Sequence, residues 1–209
     1  MVSFQLDAER PDPGAVTRAA AILRGGGVIA YPTDTLYGLG ADPANRTAVA
    51  QLYRIKGRPV DRPIPLIGAS AAQVAAHAGG LAPLAAKLAG RFWPGPLTLI
   101  LPAWPGLDEA VLAGTGTAAI RVPAHPVARA LAAACGWPIT STSANRTGEP
   151  PPSLPGDVRR RLEGALDAII DGGPAPGGPP STIVDATGPS PRLVRPGAVP
   201  WERVLECLR

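Results

Sequence analysis

Lys56-Gly57-Arg58-Pro59 places two cations where the chain must leave a helix, directly after the apolar-periodic residues Val49, Leu52, Tyr53 and Ile55. Gly57 frees the backbone and Pro59 biases Arg58 away from the helical region. Residues two apart on an extended segment share a face, so Lys56 and Arg58 are expected to point the same way. A guanidinium fork beside an ammonium point charge suits a polyanion such as a nucleotide phosphate. Three small-hydroxyl clusters accompany the pair. Thr33-Asp34-Thr35 follows one apolar run, Ser141-Thr142-Ser143-Ala144-Asn145 follows Pro138-Ile139, and Ser181-Thr182 opens another run. Hydroxyls at strand ends can take phosphate oxygens, an amino group or a carboxylate, and they leave room for backbone N–H groups.

Other chemistries lack their residues. His77 and His125 have no second ligand-type residue at metal spacing, and GxSxG, HExxH and paired carboxylates are missing. A reaction run by positioning and cationic stabilisation, of which nucleotidyl transfer is one, stays open.

The elements that must hold these residues alternate in type. Periodicity predicts helices over 11–23, 45–55, 70–78, 83–92, 125–135 and 155–162, and a short one from Trp201. Strands are expected over 28–31, 64–67, 96–101, 118–122, around Ile139, and over 166–170, 182–184 and 193–194. Gly25-Gly26-Gly27 precedes a strand and carries no Lys-Ser/Thr after it, so it reads as a helix stop, not a phosphate loop. The pattern is that of an α/β domain with a mixed, partly parallel sheet. The 172–180 segment, GGPAPGGPP, reads as a loop over a site.

At 209 residues with 45% apolar content the chain can bury a full core as a single domain over 1–209, its core over about 12–200. Glycine and proline, 25 and 27 residues, require many turns and rigid loops. A net charge of +4 permits nucleotide or RNA contact without requiring it. Cys135 and Cys207 form no CxxC and sit in apolar helical patterns, which fits a reducing cytoplasm. A signal peptide is not expected, and the longest apolar runs are far too short to span a membrane.

Taken together, these residues resemble the YrdC/TsaC family of threonylcarbamoyl-AMP synthases. The matching stretches are YPTDTLYGLGADP at 31–43, Lys56-x-Arg58 with Ser143-x-Asn145, WPGPLT at 93–98, IRVPAHP at 120–126, STIVD at 181–185 and RPG at 195–197. The resemblance implies a twisted, mostly open mixed sheet flanked by helices, with a concave, positively charged cavity. It implies synthesis of threonylcarbamoyl-AMP and pyrophosphate from L-threonine, bicarbonate or CO2, and ATP, with Mg²⁺ arriving on the ATP phosphates and no protein metal site. The product would serve threonylcarbamoyladenosine formation next to a tRNA anticodon through a partner transferase complex. Carried over residue by residue, Lys56 and Arg58 are the catalytic phosphate contacts. Arg62, Thr117, Ser143, Asn145 and Arg195 complete the ATP site; Thr35, Arg121, Ser141 and Ser181 hold threonine. The chain departs from many relatives at Ile67, where they have His, and at Arg62, where longer ones have Asn. Its end soon after RPG leads to the expectation of a single-domain form without an additional C-terminal domain. The alternative, a noncatalytic tRNA- or double-stranded-RNA-binding ribosome-maturation module, predicts more aromatic residues for base stacking than the 4% present. A hydrogenase-maturation carbamoyltransferase would carry acylphosphatase and zinc-finger regions, which this sequence lacks.

Overall fold

The computed structural model describes residues 1–209. The chain opens with strand β1 (Val2–Gln5), helix α1 (Pro13–Arg24), the hairpin β2 (Ile29–Pro32) and β3 (Tyr37–Gly40), and α2 (Arg46–Lys56). Strand β4 (Leu66–Ile67), α3 (Ala71–Ala78), α4 (Pro83–Phe92), β5 (Leu97–Pro102), α5 (Glu109–Leu112) and β6 (Thr117–Arg121) follow. Then come α6 (Pro126–Cys135), β7 (Ile139–Thr140), β8 (Thr142–Ser143), α7 (Pro155–Leu162) and β9 (Ala168–Asp171). The chain closes with β10 (Thr182–Asp185), β11 (Arg192–Arg195) and α8 (Trp201–Leu208).

The strands form two mixed sheets, ordered β1-β9-β2-β3-β8 and β11-β10-β5-β6-β4-β7, where a single sheet was expected. The split falls at Ser141, between β7 of one sheet and β8 of the other. The Ser141 amide donates to Pro65 O at 2.7 Å while Thr140 Oγ1 accepts from Ala41 N at 2.7 Å, so the five residues 139–143 stitch the sheets together. Four elements escaped the sequence reading, one of them β8, the two-residue pairing of Thr142 and Ser143 with β3. β1 is a mostly exposed edge strand, α5 is a single turn capped by Asp108, and β3 contains Gly38 and Gly40, which carry no strand propensity.

Local chemistry explains most boundaries. Pro13 and the Asp12 carboxylate, which accepts from Ala15 N at 2.7 Å, start α1. Asn45 Oδ1 accepts from Thr47 N and Ala48 N to start α2, and Gly57, at φ 54° and ψ 36°, ends it. Gly25–Gly27 form the expected helix stop, their amides returning to Ala21, Leu23 and Ile22. Along β2 the period of two divides the core: Val28 and Ala30 join a cluster of 36 buried residues, Ile29 and Tyr31 one of 17 that includes α1 and α6. With both faces covered, β2 and β3 are rigid platforms for the loop between them. The structure contains no helix long and apolar enough to cross a membrane.

Candidate active site

A cavity of about 290 Å³ opens where the two sheets diverge. The first sheet contributes Thr33, Thr35, Tyr37 and Gly38 from the β2–β3 hairpin and Ser143 from β8. The second contributes Leu66, Thr98, Arg121, Ile183 and Arg195, with Ser141 at the crossover and Ser181 just before β10. Three arginines and a row of hydroxyls line it, and no acidic residue does.

Arg121, the last residue of β6, is the deepest cation, with only 9% of its side chain exposed. Its Nη1 donates to Asp34 Oδ1, and its Nη2 donates to Thr33 Oγ1 at 3.3 Å and Thr35 Oγ1 at 3.5 Å. Asp34 Oδ2 accepts from Ala124 N at 3.0 Å, so the carboxylate braces the guanidinium against the loop entering α6. This explains the Thr33-Asp34-Thr35 order in a turn. The two hydroxyls face the cavity, and the carboxylate lies outside its lining, behind Arg121. Across the cavity Thr98 Oγ1 lies 2.8 Å from Ser181 Oγ, and Arg195 Nη2 donates to Ser181 O at 2.7 Å and to its Oγ at 3.2 Å. Burial first, then the Arg121 charge, lowers the Arg195 pKa from its ordinary value. Arg58 donates to Arg62 O and Pro63 O and is lowered chiefly by burial. It also lines a second, outer groove with Arg46, Tyr53 and Arg54.

Of the residues expected at the site, Thr35, Arg58, Arg121, Ser141, Ser143, Ser181 and Arg195 come together on this cavity. Four do not line it. Arg62 is exposed on the loop after α2. Thr117 begins β6, four residues or roughly 13 Å from Arg121 along the strand, with its hydroxyl 3.0 Å from Thr115 Oγ1. Asn145 is buried behind Ser143, its Nδ2 donating to Arg146 O and Glu149 O. Lys56 is 2% exposed and is still helical, because Gly57 and not Lys56 ends α2; the expected shared face with Arg58 does not form. Burial, with the Arg58 charge adding, pushes its ammonium down to about 8. Leu66, and not Ile67, faces the cavity from β4.

Sequence reasoning missed Asp34, Thr33 and Thr98 as parts of the site. The first two lie inside a motif already singled out, and strand alternation from a fixed end of β5 would have found Thr98. Several other motifs prove to be scaffolding. In WPGPLT, Trp93 Nε1 donates to Leu97 O at 2.7 Å and Gly95 N to Val122 O at 2.8 Å, holding β5 beside the end of β6. In RPG, Gly197 packs on the backbone at Pro180–Thr182, where a Cβ would lie 2.3 Å from Pro180 O. That contact fixes Ser181.

Residues 21–197 match a family model that groups Sua5, YciO and YrdC proteins and is described as telomere recombination. The chain belongs to the Sua5–YciO–YrdC family. One similar member is the threonylcarbamoyl-AMP synthase of Bacillus subtilis strain 168, 43% identical over 190 residues, or 90% of this chain and 55% of that one. The threonylcarbamoyl-AMP synthase of Halorhodospira halophila is 45% identical over 163 residues, 77% of this chain and 84% of its own. Among solved structures of Sua5–YciO–YrdC proteins, P. abyssi Sua5 complexed with L-threonine superposes with a TM-score of 0.93 at 37% identity, covering 100% of this chain and 61% of that one. E. coli YciO superposes at 0.86 with 31% identity, covering 96% and 98%. The chain thus spans a little over half the length of curated relatives such as those of B. subtilis and P. abyssi, at 55% and 58%.

Proposed function

We propose that this chain makes threonylcarbamoyl-AMP and pyrophosphate from L-threonine, bicarbonate or CO2, and ATP. The observation that carries the reading is the cavity itself. It gathers a braced, nearly buried guanidinium, seven Ser/Thr residues and two further arginines, with no lining carboxylate to repel anionic substrates. Relatives named for this synthase, and a similar structure complexed with L-threonine, give the reading its substrates.

In this account Arg121 takes the threonine carboxylate, its fork pre-oriented by Asp34. Thr35, Ser141 and Ser181 bind the amino and hydroxyl groups. The uncharged amine adds to CO2 with loss of an N–H proton to water, or to bicarbonate with loss of water, and gives a carbamate. A carbamate oxygen then attacks the α-phosphorus as the bond to the pyrophosphate oxygen breaks. Arg58 and Arg195 take up negative charge developing on the departing phosphates, and Ser143 holds the nucleotide beside them; positioned cations of this kind act without reorganising. Arg62, Thr117 and Asn145 serve the nucleotide only from outside the lining, Asn145 by shaping the turn behind Ser143. Mg²⁺ would arrive with ATP and would offset the charge of its phosphates. The product is a mixed anhydride, reactive enough to need an acceptor at once. We assign it to a transferase complex that modifies adenosine next to a tRNA anticodon, in the cytoplasm. The outer groove, where Arg54 and Arg58 stand beside an Arg46 paired with Asp108, offers tRNA backbone a further contact.

Pyrophosphate release with each substrate omitted in turn tests the reading. Release should require L-threonine and bicarbonate together and be lost in Arg121→Ala. Release independent of threonine would contradict it.

A further inference from the structure

Lys56 is tied to one segment at three points. Its Nζ donates to Ser143 O at 2.5 Å and to Asn145 O at 2.8 Å, and its own carbonyl accepts from Thr147 N at 2.7 Å. The three anchors fall on alternate residues of a segment that leaves β8 at Ser143, bends at Ala144 and Asn145 and turns at Thr147. The Ala144 amide donates to Tyr37 O at 2.9 Å, and Gly38 pairs with Ser143 in the β3–β8 ladder. Ser143, whose side chain lines the cavity, is therefore held between α2 and β3.

The ammonium makes no salt bridge, and its hydrogen bonds all go to these backbone carbonyls. Burying a cation against two neutral oxygens is costly, and an apolar side chain of the same length would avoid the cost. What lysine supplies is a compact head with three donors, able to satisfy two converging carbonyls from the end of a helix, where a cation also suits the helix dipole. To reach a phosphate the side chain would have to release both carbonyls, leaving Asn145 O unpaired in the interior and Ser143 O with the Asn145 amide as its remaining donor at 2.9 Å. Arg58, two residues on, already stands on the cavity and needs no such rearrangement.

We propose that Lys56 is a positioning residue: it fixes the Ser143–Thr147 segment, and with it Ser143 at the cavity wall, and does not contact the nucleotide phosphates. The pairing of Lys56-x-Arg58 with Ser143-x-Asn145 is then a division of labour. One member of each couplet, Arg58 and Ser143, faces the ligand; the other, Lys56 and Asn145, holds the backbone behind it.

The proposal rests on the reading of the cavity as a nucleotide site, so its test has one arm that uses nucleotide and one that does not. Calorimetry would compare ATP and AMP binding to the wild type, Lys56→Met and Arg58→Ala, with circular dichroism as a check of folding. Lys56→Met should weaken ATP and AMP by the same factor, on the order of 10-fold or more, as expected when a contact is misplaced and not deleted. Arg58→Ala should weaken ATP more than AMP. In the second arm, amide hydrogen exchange without nucleotide should lose protection at residues 144–147 in Lys56→Met and keep it in Arg58→Ala. Should Lys56→Met not fold, Lys56→Arg takes its place, since a guanidinium keeps the charge but cannot seat in a site built for an ammonium, and the same two signatures are expected. Loss of ATP affinity with AMP binding intact, or unchanged exchange at 144–147, would overturn the proposal. A wild type that binds neither nucleotide would remove the nucleotide reading, while the exchange arm would still decide whether Lys56 holds the segment.

Discussion

The Arg121–Asp34 pair admits a quantitative test. Their side chains are 9% and 12% exposed, and the carboxylate is shared between the guanidinium and Ala124 N. Removing one member of a buried pair typically costs about 3–5 kcal/mol, because the survivor is left without compensation. Here Arg121 keeps two hydroxyl neighbours and borders a cavity that water can enter, which puts Asp34→Ala near the lower end, at about 3 kcal/mol. For a chain of this size that corresponds to a melting temperature lower by roughly 6–12 °C. Urea unfolding of Asp34→Ala, Arg121→Ala and the double variant closes a cycle. The double variant should be less destabilised than the sum of the singles by about 2 kcal/mol, since the second substitution removes a charge the first has stranded. Asp34→Ala should also raise the KM for threonine more than that for ATP, because the guanidinium loses its brace. Additive single effects, with coupling within about 0.5 kcal/mol of zero, would refute the claim that Asp34 positions Arg121.

Other expectations follow from burial and close contact. Because the Lys56 ammonium is pushed from 10.5 down to about 8, the unfolded chain binds that proton more tightly, and this group adds stability as pH rises from 8 to 10.5. Urea midpoints at pH 7.5 and 9.5 should show the gain in the wild type and lose that contribution in Lys56→Met; identical slopes would contradict it. Burial pushes the Cys135 thiol up to about 12, whereas Cys207 is only half-buried. Alkylation of the folded protein at pH 8.5, read by mass spectrometry, should therefore label Cys207 well before Cys135, and equal labelling would count against the packing of α1 on α6. Gly197→Ala would drive a Cβ into the Pro180–Thr182 backbone and should cost about 3 kcal/mol or more, with threonine affinity reduced through Ser181. Unchanged stability would mean that the RPG turn does not fix that strand.

What could be read from the sequence divides along physical lines. The strand-end hydroxyls were legible because strand period and turn chemistry are local, and local rules place a residue at the end of an apolar run, whereas Arg121 was reached only through the family resemblance. Lys56 was misplaced for a local reason too: Gly57, not Lys56, takes the left-handed conformation, so α2 carries Lys56 inward for one more residue. Strand β3 was hidden because Gly38 and Gly40 lack strand propensity. Gly40 nevertheless suits its place because Tyr31 fills the space a side chain would need, a Cβ there falling 2.9 Å from Tyr31 Cε1. The division into two sheets depends on what Ser141 and Thr140 bond to across the molecule, and no periodicity carries that information. Asp34 was quoted in a motif without a role, since its partner lies 87 residues away.

The central claim is that this cavity joins threonine, inorganic carbon and ATP. The most direct test supplies ¹³C-bicarbonate with L-threonine and MgATP and follows the nucleotide products by mass spectrometry. The account predicts a threonine adduct of AMP that carries one ¹³C, formed only with all three substrates and lost in Arg121→Ala. ATP turnover without threonine, or a folded protein that forms no labelled adduct while binding RNA, would contradict it.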